Sequence, residues 1–192
     1  MPIKIQIIMG STRQNRFVDK PAQWILGEII KKPNVDAKLI DLRDYPLPFF
    51  DEPVSPAASK GVYSLPAARA WADLIGQGDG YIIVTPEYNH GYPAVLKNAL
   101  DYVYTEWNNK PVGFVSYGTV GGARSVEQLR QVVIELKMIP VRTSVNLVAF
   151  WNLVDDLGNL KTETLQKSAT EMIDQVLWYA DILKQTRENN QS

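Results

Sequence analysis

The chain has 192 residues, enough for one domain with a sizeable core, and its 45% hydrophobic and 21% charged residues are the balance of an ordinary globular protein. A formal net charge of −1 gives no global attraction for nucleic acid or an anionic membrane surface. There is no cysteine, which excludes disulfides, thiolate nucleophiles, iron–sulfur clusters and cysteine-ligated zinc, and the one histidine, His90, argues against a histidine-built metal site.

In chain order, Ile3–Met9 (IKIQIIM) reads as a buried strand, and residues 1–10 are too short and too weakly basic for a signal peptide. A loop from Gly10 follows, then a helical stripe at Val18, Trp24, Ile25 and Ile29, and a second strand at Ala37–Leu42. Tyr45–Leu65 holds Pro46, Pro48, Pro53 and Pro56 with no period, and a loop of that length inside a compact fold is either functional or an ordered surface segment. Pro66 opens a helix with Ala68, Trp71, Ala72 and Ile75 on one face, ended by Gly76 or Gly78. Gly80–Pro86 is a third strand, Ala94–Tyr104 a helix and Pro111–Gly118 a fourth strand. Ser125–Lys137 is a helix, Ile139–Phe150 carries a fifth strand, and apolar positions from Leu165 to Leu183 mark a long last helix. No window is apolar for long enough to span a membrane. The expected organisation is one domain over residues 1–186 with a frayed tail at 187–192.

Five strands alternating with helices imply an α/β fold with right-handed crossovers and a parallel sheet covered on both faces, and one order for such a doubly wound five-stranded sheet is 2-1-3-4-5. In that order the ligand crevice lies beyond the carboxyl ends of strands one and three. Three chemically unusual loops end there. In the first, Gly10 frees the turn, Ser11 and Thr12 offer hydroxyls, and Arg13 and Arg16 offer forked donors suited to a phosphomonoester. The alternative is a capped helix with two solvated arginines. In the second, Pro86 and Pro93 stiffen a loop whose Tyr88, Asn89 and Tyr92 present flat and amide surfaces, although tyrosines there also suit half-buried packing. His90 has nothing nearby to orient it as a base, and Lys97 and Asp101 are spaced as a surface pair. In the third, Gly118, Gly121 and Gly122 let backbone amides approach a ligand edge, or simply form a turn into a helix.

The segments GSTRQNR, PEYNHGYPAVLKNALD and SYGTVGGARSVEQLR, with the LPFFDE loop, resemble the NADPH-dependent FMN reductase family, flavodoxin-like proteins that include quinone, azo-compound and chromate reductases. The resemblance runs from about residue 3 to about residue 137, and YTEWNNKPVGFVSYG is most similar to the yeast-type members. It implies bound FMN, with the phosphate on Ser11, Arg13 and Arg16 and contributions from Thr12 and Phe17. It places the isoalloxazine against Pro86, Glu87, Tyr88 and Asn89, with His90 or Gly91 in contact. Ser116, Tyr117, Gly118, Gly121 and Gly122 then border its pyrimidine edge. Ala94 stands where many members carry glycine, and the first loop is poorer in hydroxyls than a flavodoxin loop.

The resemblance further implies ping-pong transfer of two electrons from NADPH or NADH to a small acceptor such as a quinone, free flavin, an azo compound or chromate. No side chain then has to act as acid or base. It also implies a cytoplasmic homodimer or tetramer of dimers, for which Tyr102, Tyr104 and Trp107 are interface candidates as readily as core residues. The competing readings are a flavin-loaded electron carrier, a redox sensor, and a phosphosugar- or nucleotide-binding transferase on the same fold.

Overall fold

A computed structural model describes residues 1–189. Strands β1 (Ile3–Met9), β2 (Val35–Asp41), β3 (Gly80–Pro86), β4 (Pro111–Gly118) and β5 (Ile139–Val148) form one all-parallel sheet of order β2-β1-β3-β4-β5. Helices α1 (Asp19–Ile29), α2 (Pro56–Ser59), α3 (Pro66–Gly76), α4 (Ala94–Asp101), α5 (Ala123–Glu135) and α6 (Gln166–Asn189) cover both faces. The expected flavodoxin-like architecture and strand order are therefore present.

The central strands β3 and β4 are buried at every position, as the middle of a sheet sandwiched between helices requires. One core packs the sheet against α3, α4 and α5, with Trp71, Tyr81, Tyr102 and Trp107 among its largest members. The other packs it against α1 and α6 through residues such as Ile25, Ile29, Met172 and Val176. Gly113 marks a register shift in β4, where a Cβ would stand 3.0 Å from Met172 and Val176, so the bare backbone lets α6 seat on the sheet.

Four boundaries depart from the sequence pattern. Strand β2 spans Val35–Asp41 rather than Ala37–Leu42. Helix α4 stops at Asp101 because Tyr102 and Val103 turn into the core, and Tyr102 and Trp107 are core residues, with Tyr104 half-buried. Helix α5 begins at Ala123. The expected tail starts inside α6: Arg187 donates to Asp79 and to the Asn109 carbonyl, so residues 187–189 continue the helix, while 190–192 lie outside the described residues. The Tyr45–Leu65 segment is pinned along α4, where Asn98 accepts from the Phe50 amide and donates to the Pro48 carbonyl. No helix among the described residues is long and apolar enough to cross a membrane.

Candidate functional site

The loops after β1, β3 and β4 meet at the carboxyl edge of the sheet around a cavity of about 390 Å³. Arg13, Asn15, Arg16, Phe17 and Lys20 line it from the first loop and α1, Pro86, Glu87 and Tyr88 from the second, and Tyr117, Gly118 and Phe150 from β4 and the turn after β5. Its volume is in the range of small-molecule pockets.

The two arginines of the first loop have different fates. Arg13 is exposed on the loop. Arg16 is only 7% exposed and spends all of its donors on the protein. Its Nε and Nη2 donate to Asp19, Nη1 donates to the Ser11 carbonyl and to Asp41 at 2.7 Å each, and Nη2 reaches Asp41 at 2.5 Å. The paired carboxylate at Asp41, then that at Asp19, hold the guanidinium well above its ordinary pKa despite burial. Burial pushes the Asp41 carboxyl up, but its bonds to Arg16 and to the Arg43 amide bring it below the ordinary value. Arg16, expected to grip a phosphate, lines the cavity, and two carboxylates and a carbonyl occupy its fork, so it also fastens the loop from beneath.

The helix-capping reading of this loop does not hold either. Helix α1 begins at Asp19, eight residues after Ser11, with Val18 before it and no side-chain cap. Ser11 is fully buried and its hydroxyl pairs with the Tyr88 hydroxyl at 2.9 Å, tying the first two loops together. Thr12 is exposed, and the amides of Thr12, Gln14 and Phe17 have no hydrogen-bond partner among the described residues. Arg43, from the turn after β2, donates to the Arg13 carbonyl at 2.7 Å.

In the second loop Tyr88 and Gly91 exchange two backbone hydrogen bonds around Asn89 and His90, both at positive φ, which is a tight two-residue hairpin turn. Asn89 and His90 are exposed at its tip, and the Gln128 side chain holds the His90 carbonyl. The hairpin thus presents Pro86, Glu87 and Tyr88 to the cavity, while Asn89, His90 and Gly91 do not line it. The Glu87 carboxylate faces away: it accepts from the Arg124 guanidinium at 2.6 Å and from the Arg124 amide at 3.1 Å, at the start of α5. The glutamate backbone, held by the Tyr117 carbonyl, is what remains for a ligand.

The glycine loop is held from below. Ser116 is buried and donates to the Gly121 carbonyl at 2.6 Å, and Asn146 on β5 donates to the Ser116 hydroxyl at 2.8 Å and to the Gly121 carbonyl at 3.2 Å. Gly122 sits at φ +73°, and a Cβ there would come within 2.7 Å of Ser116, so only glycine closes this turn. Gly118 lines the cavity; Ser116, Gly121 and Gly122 shape the loop rather than its open surface. The amides of Thr119 and Val120 have no partner among the described residues. Phe17, Tyr117 and Phe150 close one wall with ring centroids 4.5–5.2 Å apart, and burial, first, raises the Tyr117 phenol pKa.

Three cavity residues escaped the sequence reading. Lys20 lies seven residues beyond Arg13, in the first turn of α1, and also donates to the Gly158 carbonyl. Its spacing from Arg13 was the available signal. Asn15, at positive φ, and Phe150, beyond the last strand, carried none. Cations on one side, unspent loop amides, and flat aromatic and peptide surfaces on the other suit a planar ligand bearing a phosphate.

The model of the family described as NADPH-dependent FMN reductase matches residues 3–152. An NAD(P)H-dependent FMN reductase of Schizosaccharomyces pombe is 47% identical over 136 residues, 70% of this chain and 68% of that protein. One of Saccharomyces cerevisiae is 39% identical over 145 residues, 71% of this chain and 76% of that protein. Among solved structures, the flavoenzyme NAD(P)H:(acceptor) oxidoreductase FerB of Paracoccus denitrificans superposes with a TM-score of 0.70 at 18% identity, covering 95% of this chain and 98% of that one, a likeness of fold.

Proposed function

The chain belongs to the NADPH-dependent FMN reductase family, and from that membership we propose that it is an FMN-dependent oxidoreductase acting on quinones and similar small acceptors at the cavity above β1, β3 and β4. The observation that carries the reading is the division of the cavity into a cationic end, Arg13 and Lys20, and a flat end built from Pro86–Tyr88, Gly118 and the Phe17–Tyr117–Phe150 rings. FMN held there would supply two-electron chemistry between NADPH or NADH and the acceptor, and we infer a ping-pong order for it.

The protein's part is binding and orientation. Arg13 and Lys20 neutralise the phosphate, with the free amides of Thr12, Gln14 and Phe17 as further donors. Arg16, Ser11 and Arg43 hold that loop in place from behind. The stiff Pro86–Tyr88 stretch positions the ring, and the amides of Thr119 and Val120 favour negative charge at its edge. Ser116, Asn146 and the Glu87–Arg124 pair fix the glycine loop and the start of α5, so these donors are set before the ligand arrives. No titrating side chain is required, and His90 sits outside the cavity.

The test is the visible spectrum of the purified protein with added FMN. Flavin absorbance that co-purifies with the chain, bleaches on anaerobic NADPH and returns on adding a quinone supports the proposal. Failure to take up FMN overturns it. Parallel double-reciprocal plots for NADPH at several quinone concentrations support the ping-pong order, and converging plots overturn that order alone.

A further inference from the structure

The glycine loop leaves β4 at Gly118 and is fastened at two carbonyls. The Gly118 carbonyl accepts from the Gly121 amide at 3.1 Å, closing a turn over Thr119 and Val120, and from the Ala149 amide at 3.0 Å. The Gly121 carbonyl accepts from the Ser116 hydroxyl at 2.6 Å and from Asn146 at 3.2 Å. Between these fastenings Thr119 and Val120 are exposed, and their amides have no partner among the described residues. The turn therefore commits its flanking carbonyls inward and leaves two donors free beside Gly118, which lines the flavin cavity.

Asn146 stands behind this arrangement. It is the β5 partner of Ser116 on β4, and it does not itself line the cavity. Both ends of its amide are used. Its Nδ2 donates to the Ser116 hydroxyl at 2.8 Å and to the Gly121 carbonyl, and its Oδ1 accepts from the Ser144 hydroxyl at 2.9 Å. Turning the amide over would set Oδ1 against the Gly121 carbonyl, two acceptors face to face, so one orientation is selected. The loop lies directly on this side chain: a Cβ on Gly121 would stand 3.0 Å from the Asn146 Cβ. Ser144 thus acts on the Gly121 carbonyl through Asn146.

We propose that Asn146 is a positioning residue that sets the reduction potential of the bound flavin, through the amides of Thr119 and Val120. The inference rests on the FMN reading given above. Adding two electrons and one proton to the neutral ring leaves a negative charge at its pyrimidine end, and fixed donors at that edge stabilise the charged form more than the neutral one. A turn already held in place needs no reorganisation when that charge appears. Without Asn146 the Gly121 carbonyl keeps Ser116 alone, and the two amides sample more orientations. The cations Arg13 and Lys20 belong to the first loop and α1, so they hold the phosphate of either form as before.

The test is the midpoint potential of the FMN-loaded protein against a reference dye, beside the Kd for oxidised FMN by fluorescence titration. Asn146→Ala should weaken reduced FMN about tenfold relative to oxidised FMN, a potential about 30 mV more negative. The Kd for oxidised FMN should stay within about threefold of wild type. Ser144→Ala keeps both Asn146 donors but frees the orientation of the amide, and about a threefold effect, near 14 mV, is expected. A residue that only stabilises the fold weakens both forms of the flavin equally and leaves the potential where it was. No shift, or a positive one, in flavin-loaded Asn146→Ala therefore overturns the proposal. Should that variant fail to fold, Ser144→Ala decides: a negative shift supports the proposal and an unmoved potential overturns it. A wild-type chain that takes up no FMN overturns the FMN reading itself, whereas uptake with an unmoved potential in the variants overturns this inference alone.

Discussion

At the carboxyl edge of the sheet Arg16 is buried between Asp19 and Asp41, while at the amino edge Lys110 is buried against the carbonyls that end α3, accepting groups at 3.1 Å from Gly76 and 3.5 Å from Ile75, and the Tyr81 hydroxyl at 3.1 Å. The first cation meets full negative charges within hydrogen-bond reach, and they hold it protonated. The second meets dipoles: burial outweighs them and, with Arg187 nearby, brings its pKa down to about 8. Asp79, the carboxylate of that edge, is already paired with Lys184 and Arg187. Lys110 does not line the cavity, and Arg16, which does, has its fork occupied by protein acceptors. The cavity cations without a carboxylate partner, Arg13 and Lys20, are exposed at the edge where three loops diverge, so a functional cation here is recognised by its lack of an ion-pair partner rather than by its burial.

The sharpest way to break this contrast is Arg16→Ala. It removes the buried half of a pair network and strands Asp41, whose side chain is only 20% exposed, at a cost of about 3 kcal/mol. For a chain of this size that lowers the melting temperature by roughly 6–12 °C. Asp41 has a depressed pKa in the folded state, so its contribution is present above the ordinary aspartate value and lost as pH falls through the depressed one. Arg16→Ala should therefore also flatten the acid limb of stability, read by denaturant unfolding from about pH 5 downward. Arg13→Ala is the mirror experiment. Melting should stay near wild type, while FMN affinity, by fluorescence titration, falls roughly thirtyfold, equivalent to about 2 kcal/mol for lost charge-assisted bonds. Equal effects of the two variants on melting would erase the distinction.

The amino edge gives a smaller signal, of the same sign but in the alkaline range. Lys110 titrates below its unfolded value, so between about pH 8 and its ordinary pKa near 10.4 the unfolded chain binds the extra proton. Stability then rises with pH, by about 1 kcal/mol between pH 7 and 9. Lys110→Met should remove that rise in the same denaturant measurement, and a retained slope would mean another group carries it.

Much of the fold was legible because its punctuation is local. Gly80 and Pro86 bound β3, and Pro111 and Gly118 bound β4, within the segments they end, and the apolar stripes of α3, α5 and α6 follow the helical period. The three ligand loops follow from strand order alone. What the sequence could not separate was Arg13 from Arg16, two identical residues three apart. Their fates depend on Asp41, which is 25 positions from Arg16 and reaches it only because β2 lies beside β1. In the same way Ser116 reads as a ligand hydroxyl until Asn146, on the neighbouring strand, turns it toward Gly121. Side-chain roles set by parallel pairing leave no periodic trace, so strand ends are readable where the partners of their polar groups are not.

The smallest effect concerns Arg43, which touches the phosphate loop only through the Arg13 carbonyl. Two physical roles are open to it. As a brace it keeps the loop ordered before FMN binds, and its loss makes binding pay the ordering entropy of a loop whose other anchors, Arg16 and Ser11, remain. As a remote charge it only adds to the field at the mouth. The brace predicts that Arg43→Ala weakens FMN about threefold at every ionic strength and leaves turnover of the loaded protein unchanged, since the bound loop is the same. The remote charge predicts a loss that fades as salt is raised to about 1 M, where the screening length drops to roughly 3 Å, and full recovery in Arg43→Lys. An arginine fork fixed on a carbonyl is poorly replaced by an ammonium, so only partial recovery in the lysine variant, at any salt, is the result expected of the brace.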